Sequence, residues 1–373
     1  MEVSRRKKSR RILSPVPDVE LPKRTKPDRF IDSPWNPRVL VMGPGGIKGL
    51  KILGFLCVME DEGVLEKLDT YCGVSIGAVI ALLLVCGYKI REIVEEAVNM
   101  DIFRESGMSD IATMMKHQGF MSNEPARKTL SQLVMRKCGT VPTLRGLYMM
   151  TGSSLSVITL NATDEICVTL SPFSHPNVSC VDAVMFSMNI PFVFYQLVHN
   201  GKTYVDGALG NPYPVDYFDD GNTEILGIYI RNRNNISRQP TQAGPRDELL
   251  SISSYFSRIM YSLVDHRRNS IIQQCSNKCK HVCLETTFAD SLGYSITLDD
   301  KATLIVEGYN QGKEFIKRVT NDTYVGPSIP KKQKYVYPEY LVEKESSSSS
   351  SESCETGDTD SDMEMLSELA KGA

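Results

Sequence analysis

Ser75 lies in the pentapeptide Gly73-Val74-Ser75-Ile76-Gly77, where a segment able to run as a strand meets an apolar, helix-forming run, Ala78 to Cys86. A strand-to-helix reversal that tight requires small flanking residues, and Gly73 and Gly77 carry no side chain to clash. The turn lifts the serine hydroxyl to the first turn of a helix, where free N–H groups and the helix dipole favour negative charge. That environment suits a hydroxyl about to become a nucleophile. The same five residues also make an ordinary turn, since short motifs recur by chance.

A second group precedes it, Gly43-Pro44-Gly45-Gly46-Ile47-Lys48-Gly49. Glycines at the entry to a helix aim backbone N–H groups at a common point, which can hold a phosphate or an oxyanion. The spacing of a dinucleotide site is not met, because the final glycine comes too early and no acidic residue follows in a ribose-binding position. A Walker A loop is excluded because Lys48 is followed by glycine. With a serine in the next βα unit, an oxyanion hole is the better assignment. The third group is Tyr204-Val205-Asp206-Gly207-Ala208, continuing to Asn211-Pro212 and Pro214-Val215. Asp206 ends a short strand and Gly207 lets another backbone approach. Alone, an Asp-Gly pair reads as a turn.

The elements that must carry these groups follow from patterning. Arg38 to Met42 is an apolar run without alternation, as in a sheet covered on both faces, and a helical segment then runs to Gly63, its C′ residue. Strand, glycine turn, helix, strand, elbow, helix is the βαβα order of an α/β domain. Further strands are expected at 154–161, 166–170, 224–231 and 281–285. Helices are expected at 181–191, stopped by proline, at 246–274 with Ile252, Phe256, Ile259 and Leu263 toward the core, and at 301–318. The Met- and Phe-rich stretch 100–125 reads equally as gap-filling core or as an acyl-chain channel or lid.

The 373 residues suffice for one large domain or two ordinary ones, and a net charge of −3 predicts no generally nucleic-acid-binding surface. The charge is unevenly spread. Residues 1–36 hold Arg5, Arg6, Lys7, Lys8, Arg10 and Arg11 followed by several prolines, a mobile arm that reads as a nuclear address, an anionic-lipid contact or a solvated tail. From Glu343 the chain turns to serines and acidic residues, including Ser346 to Ser351, and is expected to be disordered. The ten cysteines fit a reducing compartment, most of them as small buried apolar residues. Cys275, Cys279, His281 and Cys283 invite a zinc reading, set aside because the spacing matches no common paired pattern and no second cysteine pair lies nearby. No stretch resembles a calcium loop. No apolar run approaches the ~20 residues of a membrane span and the amino terminus is charged, so neither export nor a spanning segment is expected.

A serine nucleophile needs a proton acceptor, and the familiar one is histidine. None of the five histidines, His117, His175, His199, His266 and His281, sits in a segment built around it, and each reads as a surface residue. An aspartate with an ordinary pKa near ~3.9 is a weak base, but burial against an apolar wall raises it.

The ordered set of motifs resembles the patatin-like phospholipase family: a loop ending Gly-Gly-Ile-Lys-Gly, the elbow Gly-Val-Ser-Ile-Gly, Ala-Thr-Asp at 162–164, Ile190-Pro191, and Asp206-Gly207-Ala208. The likeness spans about 38–230 and weakens toward 320. It implies a three-layer α/β/α sandwich around a mostly parallel sheet, with a family domain over 37–335 between the arm (1–36) and the acidic tail (336–373). It implies Ser75 as nucleophile, Asp206 as general base and the Gly45 and Gly46 N–H groups as oxyanion hole, with Gly73, Gly77, Lys48, Gly49, Gly207 and Ala208 as motif residues. The implied reaction is hydrolysis of lipid acyl esters through an acyl-serine, with no metal and no cofactor, at a membrane surface, in an intracellular, cytoplasmic, peripheral-membrane or nuclear setting. Pro44 departs from the pattern, because it has no N–H where members usually have the first glycine of the loop; a needed donor lost there would cost on the order of 3 kcal/mol of transition-state stabilisation. Asn189 is unusual before Ile190-Pro191. Three other readings stand: a catalytically impaired lipid-binding scaffold with the same fold, a histidine-based hydrolase, and a nucleic-acid contact through the arm alone.

Overall fold

The computed structural model describes residues 35–99, 111–232, 259, 262–288 and 296–327. The first unit is as the pattern predicts. β1 (Val39–Met42) is buried along its whole length, and a 3-10 turn (Gly46–Lys48) leads into α1 (Gly49–Asp61). Gly63, at φ 75°, closes α1 while the Val64 N–H returns to the Met59 carbonyl at 2.9 Å. α1 is buried on nearly all sides, so it lacks a polar stripe. β2 (Thr70–Val74) then delivers Ser75 to α2 (Ile76–Val85).

A helical excursion follows. It contains α3 (Ile90–Asn99), α4 (Ile111–His117), the short β3 (Gly119–Met121), α5 (Glu124–Cys138) and α6 (Leu144–Thr151). The chain re-enters the sheet through β4 (Ser154–Asn161) and β5 (Ile166–Leu170), followed by α7 (Cys180–Ser187). Three short strands come next, β6 (Phe192–Phe194), β7 (Leu197–His199) and β8 (Lys202–Asp206). β9 (Ile225–Asn232), α8 (262–274), β10 (Cys279–Thr286) and α9 (Leu298–Thr320) complete the described chain.

The main sheet runs β10-β9-β1-β2-β4-β8-β7, with β5 also paired to β4. The five strands from β10 to β4 are parallel, while β8, β7 and β5 join antiparallel. Helices cover this mixed sheet, making the expected α/β sandwich. β3 and β6 form a separate parallel pair over a small cluster of Met121, Val193 and Phe194.

Three expectations need correction. The helix expected over 181–191 ends at Ser187, before the proline. Ile190 precedes Pro191 and so avoids helical backbone, and the early exit lets the Asn189 carbonyl accept the Asp206 N–H at 2.9 Å. In the long helix expected over 246–274, Ile252 and Phe256 lie outside the described residues, and Ile259 and Leu263 are exposed. The buried face is instead Val264, Arg268, Ile271 and Ile272, with the Arg268 guanidinium 4.3 Å over the Tyr229 ring. His281 is buried, not a surface residue, with its Nδ1 3.0 Å from the Tyr213 hydroxyl. Most of the described cysteines, Cys57, Cys72, Cys86, Cys180 and Cys279, are buried as expected, while Cys138, Cys275 and Cys283 are half-buried and Cys167 is exposed.

Within the Met-rich stretch, 100–110 lie outside the described residues, Met121 is core and Met115 is exposed. The basic arm up to residue 34, the acidic tail and Cys354 also lie outside them.

Candidate active site

Ser75 holds φ 56° and ψ −123°, a strained conformation for a residue with a side chain, and is 6 % exposed. Both flanking glycines are required by close approach. A Cβ on Gly77 would strike the Met42 carbonyl oxygen, and one on Gly73 would strike the Ala78 amide. The elbow is therefore pressed between the end of β1 and its own helix. Ser75 occupies the N-cap position of α2 but its side chain caps no N–H. Serine is a favoured capping residue, so a hydroxyl withheld from that bond has another use. It lies close enough to the Asp206 carboxylate to hold down its pKa.

The meeting of those two residues is set by β4. β2 pairs with its first part, ending at Val74 opposite Ile158. β5 lies along its other edge from Val157 to Asn161, so β8 must occupy the edge that β2 has just left. β8 does so from the next position, with Asp206 opposite Thr159. The strand carrying the nucleophile and the strand carrying the carboxylate thus abut end to end along one edge. Gly207 is needed at the junction, since a Cβ there would overlap the Ile158 carbonyl oxygen.

Asp206 is 4 % exposed, and its Oδ1 accepts the Ala208 N–H at 2.8 Å. Burial pushes its pKa up to about 6, against the pull of the Ala208 N–H and of the neighbouring Ser75 hydroxyl. No histidine contributes to that shift. His117 stacks on Tyr195, His175 meets Ser174, His199 packs beside Phe186, His266 is exposed and His281 bonds Tyr213.

The glycine loop lies against the elbow: the Cβ positions of Gly77 and Gly49 are blocked by the Gly43 carbonyl and by the Ile76 side chain. Among the described residues, no group accepts from the Gly45 or Gly46 N–H. These are free donors just ahead of a helix start. Lys48 is buried, and with the Asn232 amide turned so that its NH2 donates to the Thr286 and Phe288 carbonyls, the Asn232 oxygen accepts from Lys48 Nζ at 3.0 Å. Lys48 therefore ties the loop to the end of β9.

One residue at the site had no signal in the sequence. The Ser187 hydroxyl, fully buried at the end of α7, accepts the Ser75 N–H at 2.8 Å. Two positions on, Asn189 holds Asp206 through its carbonyl and bonds the Tyr204 carbonyl through its side chain at 2.9 Å. One short segment thus steadies both partners. The odd Asn189 was its only visible trace. The groups assembled here, a serine on a buried carboxylate beside free N–H donors, are those of acyl transfer.

Residues 40–219 match the model of the patatin family, described as patatin-like phospholipase. Two viral proteins are similar over much of the chain. One is the uncharacterized protein R571 of Acanthamoeba polyphaga mimivirus, 23 % identical over 288 residues, covering 76 % of this chain and 94 % of that protein. The other is the probable lipid hydrolase 463L of invertebrate iridescent virus 6, 25 % identical over 234 residues, covering 62 % of this chain and 74 % of that one. Among solved structures, VipD from Legionella pneumophila aligns with a TM-score of 0.48 at 17 % identity, covering 78 % of this chain and 68 % of that one.

Proposed function

We propose that the protein, whose residues 40–219 match the model of the patatin-like phospholipase family, is a lipid acyl hydrolase of the phospholipase A type, working through a Ser75–Asp206 dyad. The observation that carries this reading is the Ser75 hydroxyl, which leaves its own helix uncapped and lies beside a buried carboxylate whose pKa it lowers.

In the reaction, Asp206 takes the Ser75 proton as Oγ attacks the ester carbonyl carbon. The carbonyl π electrons move to oxygen, and the Gly45 and Gly46 N–H groups receive that oxyanion. Pro44 donates nothing, so the hole rests on the two residues after it. Collapse breaks the ester C–O bond, and Asp206 returns its proton to the departing alcohol. Water then attacks the acyl-serine with Asp206 again as base, releasing the fatty acid and restoring Ser75. Every proton is accounted for by one carboxyl, and burial that raises its pKa toward the working pH makes it fit both to take and to give.

The substrate is a lipid met at a membrane surface, where the basic run from Arg5 to Arg11 adds attraction to anionic headgroups; no helix among the described residues is long and apolar enough to cross a membrane. The test is fluorophosphonate labelling of the full chain beside Ser75→Ala and Asp206→Asn, with hydrolysis of phospholipid vesicles followed in parallel. Labelling and fatty-acid release that both substitutions abolish is the expected result. A folded wild-type protein that binds vesicles but takes no label would overturn the reading in favour of a catalytically impaired scaffold.

A further inference from the structure

At the opposite end of the parallel strands from Ser75, three groups from separate stretches converge: Asp219 from the loop between β8 and β9, Cys275 just past α8, and Cys279, the first residue of β10. Their donor atoms all lie within 4.8 Å of one another. A tetrahedral zinc with ligands at about 2.0–2.3 Å holds its donors roughly 3.3–3.8 Å apart, so small side-chain rotations bring these three into range. We propose that Asp219, Cys275 and Cys279 bind a structural zinc ion, with His281 closing the shell.

The surroundings fit. Among the described residues, no lysine or arginine pairs with Asp219. Its carboxylate is instead aimed by Ser276, whose N–H and hydroxyl each donate at 2.6 Å, and by the Gly221 N–H at 3.1 Å. Buried His281 lies near Cys275 but outside the group whose donors are all within 4.8 Å, so it joins the shell by turning its ring inward. Its Nδ1 is 3.0 Å from the Tyr213 hydroxyl, so Nδ1–H donating to that oxygen leaves Nε2 with a lone pair for a metal. A ligating imidazole held through its other nitrogen is the usual outer-shell arrangement.

Two thiolates select a borderline-soft cation and exclude calcium and magnesium. On binding, both thiols release their protons to solvent. The Cys275 thiol now donates to the Ile271 carbonyl at 3.3 Å, and that contact is surrendered. A shell closed by four protein ligands leaves no open position for substrate, which makes the site structural. It fastens the loop that follows Asp206 to the junction of α8 and β10.

The full chain, purified under thiol reductant without chelator, is expected to carry stoichiometric zinc by mass spectrometry. Stripping with chelator and adding cobalt(II) should give a thiolate-to-cobalt charge-transfer band and tetrahedral visible bands. The charge-transfer band should be lost in Cys275→Ser and Cys279→Ser, weakened in Asp219→Asn and retained in Cys283→Ser. Should a cysteine variant fail to fold, wild-type protein still decides the matter, with its melting point expected to fall on chelation and recover with zinc. Absence of both zinc and the cobalt band in folded wild-type protein overturns the proposal, as does an equal band in both cysteine variants or a Cys275–Cys279 disulfide under reductant. These readouts need no enzymatic activity, so their failure and that of the hydrolase reading are separable.

Discussion

Two hydroxyl–carboxylate pairs in this molecule use the same chemical groups to opposite effect. At the solvent-facing start of α9, Thr297 and Asp300 form a capping box: the Thr297 hydroxyl and N–H donate to Asp300 at 2.7 and 2.9 Å, and the Asp300 N–H returns to the hydroxyl at 3.1 Å. Those bonds hold the Asp300 pKa below the ordinary carboxylate value. Asp206 likewise has a hydroxyl beside it and one N–H donor, yet its pKa is pushed up to about 6. The difference is water. Where solvent reaches the carboxylate, hydrogen bonds decide its charge; where the fold excludes solvent, desolvation outweighs them. An aspartate becomes a base near neutral pH by burial and not by its contacts.

The comparison can be broken or sharpened by substitution. The largest effect is expected for Ser75→Ala, with esterase activity falling by on the order of 10^4-fold or more. Removing that hydroxyl also removes one of the two influences that lower the Asp206 pKa, so Asp206 should titrate higher, as read by carboxyl NMR. Asp206→Asn should abolish activity as well, yet stabilise the fold. The sign follows from the shift: with the folded pKa raised from 3.8 to about 6, ionisation of Asp206 burdens the folded state. That burden is absent below pH 3.8 and complete above about pH 6. It amounts to about 3 kcal/mol, so the variant should melt above wild type at pH 8 and with it near pH 4. For the wild type, kcat/KM should fall as pH drops through about 6.

Ser187→Ala should cost about 1–3 kcal/mol of stability by leaving the Ser75 N–H without its acceptor. As Ser187 steadies the nucleophile without touching substrate, kcat should fall while KM holds. The smallest effect belongs to the exposed pair: Thr297→Ala should cost about 1 kcal/mol in denaturant titration and leave activity unchanged. An activity loss there, or a stable Asp206→Asn variant that still turns over, would dissolve the contrast.

What was legible in the sequence was whatever is local. The elbow, the glycine loop and the buried strands announce themselves because turn sterics and apolar runs act over a few residues. The pairing of β8 beside β2 along β4 was not legible, because it joins strands distant in the chain and antiparallel where the pattern suggested parallel order. Ser187 was invisible for a related reason, since a serine at the end of an apolar helix is ordinary until its neighbour in space is known. The phase of α8 was misread because its buried face includes Arg268, whose charge hides the fact that its stem and guanidinium cover Tyr229. Asp219 could not be joined to the cysteines by spacing, since it arrives from the other side of β9.

The edge of β4 also fixes what kind of error this centre can suffer. Loops position side chains on a continuous scale, but a strand ladder is graduated. Moving β8 by one position carries Asp206 about 3.3 Å and turns its carboxyl to the opposite face of the sheet. The spacing of the dyad is therefore digital, correct or absent, with no nearby setting to drift into.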